Sequence, residues 1–504
     1  MAKDVIIIGG GHNGLVCACY LARAGRNVTV LERRSVVGGA AVTEEFHPGF
    51  RNSVASYTVS LLHPKIIGEL NLERHGLRIL PRRVNNYLPL PDGRAFVSYP
   101  ELDRTCASLA QFSQHDAEAL PRYYADLDGV VPVIKEIMLQ TPPKIIGGGL
   151  PDLFSLFRLS RQFSRLSASQ QRFLLKLFSL SAADLLDEYF ESEPVKALMG
   201  FDAVVGHFAS PYSPGSAYVL LHHVVGEVNG VTGAWGHAVG GMGAITQAMA
   251  REAESLGVSI MTDAEVEQVV VENHRATSIR LRNGQTLTAA IIVANVTPSV
   301  LFSQLIDPVH QSEGVREHMQ HYRSGSGTFR MNVALNRLPA FSAEMPEMCL
   351  EGGIIMAPSL DYMDKAYTDA RRQGWSAQPV VEMLIPSLID DTLAPAGQHV
   401  ASLFCQHFNP DLGADWDQHR EMAADLIISC IERFAPGFTD SVIGRQIHSP
   451  WDLERKFGLT GGDIFHGKLS LDQLFSARPM LGMGQYQTEI SNLFMCGSGT
   501  HPGG

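Results

Sequence analysis

The sequence predicts an α/β fold in which a domain built on a parallel sheet is interleaved with a mixed α+β domain. The chain opens with a strand, a glycine loop, a helix and a second strand, spaced as in a parallel β–α–β crossover. Further strand candidates lie in the middle and at the end of the chain. The stretches between them are mostly helical or of mixed character, which indicates a second domain made of separate segments.

Each element of the opening unit follows from its residues. Residues 5–8 are a short β-branched run, which is typical of a buried parallel strand. Residues 15–24 have helical character, and Gly25 ends that helix. Residues 28–31 are predicted to be the second strand.

The middle and the end of the chain supply the remaining elements of the first domain. A helix is predicted over 244–256, with strands at 259–261, 266–271, 278–281, 287–294 and 492–496 and a turn at Asn283-Gly284. The first domain is therefore assigned to 1–60, 230–300 and 480–504. The second domain takes 61–229 and 301–479, and it includes a helical insert.

The composition is that of a globular protein. The 504 residues are 45% hydrophobic and 18% charged. With 40 Lys and Arg against 52 Asp and Glu, the formal net charge is −12. Nucleic-acid binding relies on clustered cations, so this acidic balance argues against a nucleic-acid partner.

The seven cysteines have irregular spacings and include no C-x-x-C pair. This pattern predicts structural thiols in the cytoplasm or another reducing compartment. It also argues against a dithiol–disulfide reductase, which needs two neighbouring cysteines beside its redox cofactor. No cluster with metal-ligand spacing is evident, so no metal is predicted.

The sequence does not predict a membrane-spanning helix. The uncharged stretches 5–22 and 229–250 are interrupted by glycines and are not continuous apolar runs. A secretory signal peptide is not predicted either, because Asp4 stands beside Lys3 and glycines split the apolar region.

A dinucleotide-binding site is predicted at the glycine loop. Gly9, Gly11 and Gly14 match the G-x-G-x-x-G fingerprint of a Rossmann-type domain, with a strand before it and a helix after it. The N-terminus of that helix offers free N–H groups to a pyrophosphate. Glu32 ends the second strand, where its carboxylate can accept hydrogen bonds from ribose hydroxyls. The predicted cofactor-binding residues of this loop and strand are Gly9, Gly11, His12, Asn13, Gly14, Glu32 and Arg33.

The residues beyond Glu32 favour FAD over NAD. Gly38-Gly39-Ala40 resembles the extended motif of FAD enzymes of the glutathione-reductase and amine-oxidase type. No second G-x-G-x-x-G unit follows, which argues against a separate NAD(P)H domain. The prediction is non-covalent FAD in a Rossmann-type domain interleaved with a substrate domain.

Segments in the middle and at the end of the chain resemble the phytoene desaturase (carotenoid desaturase) family. They are residues 492–504, 233–243 and 264–269. Residues 213–218, 451–455, 461–467 and 478–479 point to the phytoene-desaturase-like oxidoreductases within it. The resemblance implies that the Val266 backbone contacts the adenine and that a loop with Gly497 and Thr500 closes over the flavin. It also implies a helix beyond that loop, and we expect the chain, which stops at Gly504, to be truncated there.

The resemblance implies an FAD-dependent desaturase or dehydrogenase. Its expected substrate is hydrophobic, such as a polyene or a lipid, oxidised by hydride transfer to flavin. His237 and His501 are candidate proton relays or flavin contacts, and a structural role is the alternative for each. Two other functions stay open, a regulatory or scaffold flavoprotein with structural FAD and an amine oxidase. Oxygen, a quinone or a protein could accept the electrons, and the eukaryotic relatives suggest the mitochondrial matrix.

The helical insert has a basic and aromatic composition. Residues 153–183 contain five cations and no acidic residue, interspersed with phenylalanines and leucines. A helix of this kind can lie on an anionic membrane surface. Peripheral membrane contact through 153–183 is therefore one expectation, and packing within the protein's own domain is the other.

Overall fold

A computed structural model describes residues 3–343 and 346–504 of the chain. The strands are β1 (Lys3–Ile8), β2 (Val28–Leu31), β3 (Thr43–His47), β4 (Phe50–Ser53), β5 (Ile79–Pro81), β6 (Asn86–Pro89), β7 (Ala95–Ser98), β8 (Glu227–Val228), β9 (Val231–Thr232), β10 (Gly236–Ala238), β11 (Ser259–Met261), β12 (Val266–Glu272), β13 (Arg275–Leu281), β14 (Thr286–Ala294), β15 (Phe329–Leu335), β16 (Gly353–Met356), β17 (Trp375–Leu384), β18 (His399–Phe408), β19 (Val442–His448) and β20 (Leu493–Met495). The helices are α1 (His12–Arg23), α2 (Pro64–Glu69), α3 (Leu102–Ala110), α4 (Gln114–Asp128), α5 (Val131–Met138), α6 (Leu150–Ser164), α7 (Ala168–Ser179), α8 (Ala182–Asp187), α9 (Glu193–Phe201), α10 (Ser216–Val224), α11 (Gly243–Ser255), α12 (Pro298–Val300), α13 (Glu313–His321), α14 (Leu360–Gln373), α15 (Trp416–Glu432), α16 (Phe438–Ser441) and α17 (Pro450–Phe457).

The first sheet has a parallel core in the order β11, β2, β1, β14 and β20. Its strands therefore come from the beginning, the middle and the end of the chain. The antiparallel strands β13 and β12 extend the sheet from β14. Alternate side chains of β1 enter separate apolar clusters, Ile6 and Ile8 in one and Val5 and Ile7 in the other. Burial on both faces explains why this strand is a continuous β-branched run.

Helix α1 begins at His12, three residues before the start that the sequence pattern predicts. His12, Asn13 and Gly14 are weak helix formers, so periodicity alone does not reveal this first turn. Packing of Gly14 against the glycine loop stabilises it instead. The other elements of this domain lie within a few residues of their predicted positions.

The second sheet has the order β19, β15, β18, β17, β16, β6 and β7, and its pairs are antiparallel except β16 with β6. Helix α15 contributes to the apolar cluster on one face, with Trp416 fully buried. On the other face, Leu88, Phe96 and Phe404 pack into the core of helices α4 to α10. The predicted combination of a Rossmann-type domain and a mixed α+β domain is confirmed.

The structure divides the basic, aromatic-rich stretch 153–183 in two. On α6, Phe154 and Phe157 are exposed, whereas Phe173 on α7 is buried in the helical core. Lys176 on α7 pairs with Glu188 at 2.6 Å. Within the described part of the chain, no helix combines the length and apolar character needed to cross a bilayer.

Candidate functional site

A cavity of about 520 Å³ opens beside the carboxyl ends of the parallel strands β1, β2 and β14. Open α/β sheets bind their ligands at this edge. The predicted cofactor-binding residues that line the cavity are Gly9, Gly11, His12, Asn13, Glu32, Arg33, Gly39, Ala40 and Val266. The fold thus brings together residues from three separate segments of the sequence.

Gly11 and Gly14 of the fingerprint have different structural roles. A Cβ atom on Gly14 would lie 2.3 Å from the carbonyl oxygen of Gly9, too close for any side chain. A Cβ atom on Gly11 would have more room, 3.2 Å from Asn295 Nδ2, and Gly11 lines the cavity. Gly14 therefore lets α1 pack on the loop, while Gly11 keeps the cavity accessible to a ligand.

Asn295 is a site residue that the sequence reasoning missed. Its Nδ2 donates to the carbonyl oxygen of Gly9 at 3.1 Å. Its Oδ1 lies 2.7 Å from the position of a Cβ atom on Gly497, so the C-terminal loop approaches the same side chain. Asn295 directly follows β14, and its place at the end of a predicted strand was the signal that could have identified it.

Glu32 is buried at the end of β2, with its carboxylate held by two backbone donors. Oε2 accepts from Gly10 N at 2.9 Å, and Oε1 accepts from Arg34 N at 2.9 Å. A carboxylate can accept about four hydrogen bonds, so capacity remains for hydroxyl groups in the cavity. The position and the chemistry fit a ribose.

The second glycine loop packs against the first. Gly38 N donates to the carbonyl oxygen of Gly10 at 2.8 Å, and a Cβ atom on Gly39 would lie 3.2 Å from the Cα of Gly11. Gly38 has a φ of +130°, which favours glycine. Gly39 and Ala40 line the cavity, whereas Gly38 supports it from behind.

The polar groups around this cavity match FAD. Helix α1 has no side-chain cap and no acidic residue in its first turn, so its free N–H groups suit a phosphate. Among the described residues, Arg34 Nη1 and His466 Nδ1 are buried without a hydrogen-bond partner, and both residues line the cavity. Burial chiefly lowers the pKa of His466 to about 3, which keeps its ring neutral at pH 7.

The C-terminal loop approaches Asn13 and Asn295 at the edge of this cavity, but the predicted cofactor-binding residues Gly497 and Thr500 are not among the residues that line it. Thr500 Oγ1 donates to the carbonyl oxygen of Gly497 at 2.7 Å, which closes a turn of the loop. Arg478 is fully buried beside it, and its guanidinium donates to backbone carbonyls that include those of Ser498 and Gln473. Arg478 therefore stabilises the loop from inside the protein.

The two candidate histidines lie apart from the lining of the cavity. His237 is buried on β10, and its Nε2 is 2.8 Å from Asp390 Oδ2. His501 is buried in the C-terminal loop, with Nε2 3.2 Å from the carbonyl oxygen of Ile137. Both contacts hold loops in place, and a proton-relay role for either residue stays a hypothesis.

Asp390 is the residue that organises the turn after β10. It accepts hydrogen bonds from His237, from Gly240 N at 2.7 Å and from Thr392. Burial alone would raise the pKa of Asp390, but these hydrogen bonds outweigh it and lower the pKa to about 2. The ionised carboxylate therefore stabilises the fold above the ordinary carboxyl pKa, and this contribution is lost as the pH falls towards 2.

Replacing Asp390 by asparagine is expected to lower the free energy of unfolding at pH 7 by about 1.5–3 kcal/mol, because a charged acceptor of several hydrogen bonds is lost. Denaturant unfolding would measure this change. Asp391→Asn alters an exposed neighbour and is the matched control. Equal effects of the two substitutions would contradict the role given to Asp390.

A second cavity, of about 740 Å³, lies between the second sheet and helices α3, α4, α9 and α10. Much of its wall is apolar or aromatic. The apolar and aromatic residues that line it include Tyr123, Tyr124, Leu127, Leu198, Met199, Leu220, Val224 and Trp235. Trp235 stacks on His223 with ring centroids 6.2 Å apart.

Residues 56–58 connect the walls of the two cavities. Ser56 N donates to the carbonyl oxygen of Ala40, a residue of the first cavity, at 3.0 Å. Thr58 Oγ1 accepts from Arg82 Nη2 at 2.6 Å, and Arg82 lines the second cavity. Both cavities therefore adjoin this one segment of chain.

Asp202 is an unusual carboxyl group in the apolar wall of the second cavity. It caps the C-terminus of α9, where a negative charge is unfavourable. Burial, and secondarily the charge of Glu382, raise the pKa of Asp202 to about 7. Asp202 is therefore poised between its neutral and charged forms near physiological pH.

Comparison with known proteins identifies relatives along the whole chain. The family described as flavin containing amine oxidoreductase matches residues 14–329. Pyridine nucleotide-disulfide oxidoreductase domain-containing protein 2 of Rattus norvegicus is 39% identical, over 99% of this chain and 90% of the relative. This agrees with the branch indicated by the segments around Tyr218, Trp451 and Gly461. The chloroplastic prolycopene isomerase of Daucus carota is 24% identical, over 99% of this chain and 77% of the relative.

A solved structure shows the same fold. Cyclohexylamine oxidase from Brevibacterium oxydans superposes with a TM-score of 0.58 and 15% sequence identity, over 99% of this chain and 94% of that one. At this identity the likeness establishes the architecture and leaves the substrate open. The predicted flavoprotein fold and its FAD cofactor are confirmed.

Proposed function

The chain belongs to the flavin containing amine oxidoreductase family and is an FAD-dependent oxidoreductase, and we propose that it oxidises a hydrophobic substrate such as a polyene or a lipid. FAD, when bound, supplies the redox chemistry by accepting a hydride from the substrate. The protein supplies binding, orientation and exclusion of water. The observation that carries the proposal is the apolar second cavity, which adjoins the first cavity through residues 56–58.

The first cavity is the proposed FAD site. The N-terminus of α1 and Gly11 would hold the pyrophosphate, Glu32 the ribose, and the backbone of Val266 the adenine. Arg34 Nη1 offers a further donor without a partner among the described residues. These residues would hold the cofactor beside the segment 56–58, which adjoins both cavities.

The second cavity is the proposed substrate site. Leucine, valine, methionine and aromatic side chains gain free energy from contact with a hydrophobic molecule, roughly 25 cal/mol per Å² of apolar surface buried. Polar and charged side chains also line the wall, among them Arg82, Arg104 and Asp128, and they would orient the substrate. The similarity to prolycopene isomerase, an enzyme named for a polyene, supports this class of molecule.

Asp202 favours an alternative, an amine substrate. When ionised, its carboxylate could pair with an ammonium group bound in this cavity. The fold shared with cyclohexylamine oxidase is compatible with this reading. A third reading, a scaffold protein with structural FAD, predicts slow or absent reduction of the flavin by any small molecule.

Anaerobic reduction of the bound flavin distinguishes these functions. The holoprotein would be mixed with a panel of polyenes, lipids and primary amines, and flavin absorbance would be followed. The proposal predicts rapid bleaching of the flavin by an apolar compound, and bleaching by that compound persists in Asp202→Asn. Bleaching by amines alone, lost in Asp202→Asn, would establish the amine oxidase instead. The absence of bleaching across the panel would favour the scaffold.

The raised pKa of Asp202 has a consequence for stability. The folded protein retains this proton up to about pH 7, whereas the unfolded chain loses it near the ordinary carboxyl pKa. Stability therefore falls as the pH rises from about 4 to 7. Asp202→Asn has no carboxyl group at this position to lose a proton, so it lacks this fall in stability. We expect the variant to be more stable than the wild type at pH 7 by on the order of 2 kcal/mol. Unfolding curves at pH 4.5 and 7 would measure it, and equal pH dependence in both proteins would contradict the burial of this carboxyl group.

The compartment and the electron acceptor complete the proposal. All seven cysteines lie within the described residues and are free thiols, which supports a reducing compartment, the cytoplasm or the mitochondrial matrix. Oxygen, a quinone or a second protein could reoxidise the flavin. Reoxidation rates with each acceptor after anaerobic reduction would separate them.

A further inference from the structure

Helix α6 exposes an apolar face. Leu150, Leu153, Phe154 and Phe157 follow the spacing i, i+3, i+4 and i+7, so they share one side of the helix. Their exposed fractions are 73%, 61%, 75% and 70%. The opposite side of the helix contains the buried Gln162. The face is therefore directed away from the protein and is not part of its core.

Arginine side chains lie next to this apolar face in the C-terminal half of the helix and just beyond it. Arg158, Arg161 and Arg165 are exposed and lie on or beside the same side of α6. Among the described residues, no carboxylate lies within ion-pair distance of these three guanidinium groups, in contrast to Lys176, which pairs with Glu188. In a chain of net charge −12, this is a local positive region.

The loop before α6 contributes further exposed apolar and basic side chains next to the apolar face of the helix. Ile145 and Ile146 are each 58% exposed, and Lys144 beside them is also exposed. Asp152 fixes the loop by accepting hydrogen bonds from the backbone N–H groups of Lys144 at 2.9 Å and Gly149 at 3.0 Å. It also accepts from Gln485 Nε2 at 2.7 Å, which ties the base of the helix to the body of the protein.

We propose that residues 144–165, here called the docking surface, bind reversibly to an anionic lipid membrane. Aromatic and aliphatic side chains beside unpaired arginines are complementary to a bilayer whose headgroups are negative and whose interior is apolar. The apolar side chains would enter the boundary between headgroups and acyl chains, and the arginines would contact the headgroups. A symmetric contact with a second copy is disfavoured, because it would bring arginines together. The proposal concerns binding and does not depend on the substrate.

Binding of the FAD-loaded protein to phosphatidylcholine vesicles, with and without 30% phosphatidylglycerol, tests this proposal. We expect the wild type to bind the anionic vesicles at low salt and to bind less as salt rises, because surface charges are screened beyond about 8 Å at physiological ionic strength. Each arginine near the surface contributes about 1 kcal/mol. Arg158→Gln, Arg161→Gln and Arg165→Gln together should therefore weaken binding roughly a hundred-fold.

Two further variants make the test specific. Arg26→Gln, Arg275→Gln and Arg372→Gln remove the same charge from exposed positions elsewhere, and this control should bind vesicles almost as the wild type does. Phe154→Ser with Phe157→Ser should lose binding at every salt concentration. Flavin absorbance and circular dichroism would verify that each variant is folded. Failure of the wild type to bind at low salt, equal loss in the control, or a dimer that the Phe variant converts to a monomer would each overturn the proposal.

Discussion

Replacing Gly14 by alanine is expected to abolish FAD binding and to destabilise the protein. The added Cβ atom would lie 2.3 Å from the carbonyl oxygen of Gly9 and 2.7 Å from Asn295 Nδ2, so α1 must move away from the glycine loop. Overpacking of this kind costs about 1–3 kcal/mol of unfolding free energy. The displaced helix N-terminus can no longer face the pyrophosphate, and we expect FAD affinity to fall by roughly a hundred-fold or more. Thermal unfolding and flavin content after dialysis would measure both effects.

Gly11→Ala separates the effect on FAD binding from the effect on stability. Gly11 has ordinary extended backbone angles, and its added Cβ atom would be 3.2 Å from the nearest protein atom, Asn295 Nδ2. The fold should therefore tolerate the methyl group, while the cavity that Gly11 lines becomes narrower. We expect lower FAD affinity at nearly unchanged stability of the apoprotein. Normal FAD content in both variants would show that the cofactor binds elsewhere.

Glu32→Ala is expected to weaken FAD binding roughly ten- to a hundred-fold while the fold persists, since a charge-assisted hydrogen bond contributes about 1.5–3 kcal/mol. The carboxylate lines the cavity and retains acceptor capacity beyond its bonds to Gly10 N and Arg34 N. Equilibrium dialysis with FAD would measure the change. The FAD affinity of Glu32→Gln, which keeps a neutral acceptor, should lie between the affinities of the wild type and of the alanine variant.

Glu265→Ala is the matched control for Glu32. Glu265 also lines the cavity, but its carboxylate forms a partly exposed ion pair with Arg282 at 3.0 Å, and such pairs contribute little. The FAD affinity of Glu265→Ala should stay close to that of the wild type.

Denaturing each holoprotein should release free flavin, because the prediction is a non-covalent cofactor. Colour that remains with the precipitated chain would contradict it.

Most of the Rossmann-type domain could be predicted because its sequence signals are local. Residues 28–31 and 259–261 coincide with β2 and β11, and the Asn283-Gly284 turn joins β13 and β14. Buried parallel strands are short β-branched runs, and glycines mark the turns between elements. The fingerprint also indicated Glu32 and the glycines of the first cavity from spacing alone.

The parts that sequence reasoning missed depend on contacts between distant segments. Asn295 reaches Gly9 across 286 residues, and Asp390 reaches His237 across 153 residues. No local pattern encodes such pairs. The second cavity likewise combines walls from the second sheet and from helices α3, α4, α9 and α10, and only the fold shows that Asp202 and Trp235 line the same space. Arg478 is a further example, since its fully buried guanidinium donates to backbone carbonyls that no local sequence pattern identifies.

The central claim is that an apolar substrate in the second cavity reduces FAD in the first. Stopped-flow anaerobic reduction of the wild type and Val224→Phe by one polyene tests this step, because Val224 lines the second cavity and is not among the residues that line the first. We expect saturable bleaching of the wild-type flavin. In Val224→Phe the flavin spectrum should be unchanged, and the half-saturating polyene concentration should rise roughly ten-fold, equivalent to about 1.4 kcal/mol of lost binding. Equal polyene reduction in both proteins, or no reduction of the wild type by any apolar compound, would contradict it.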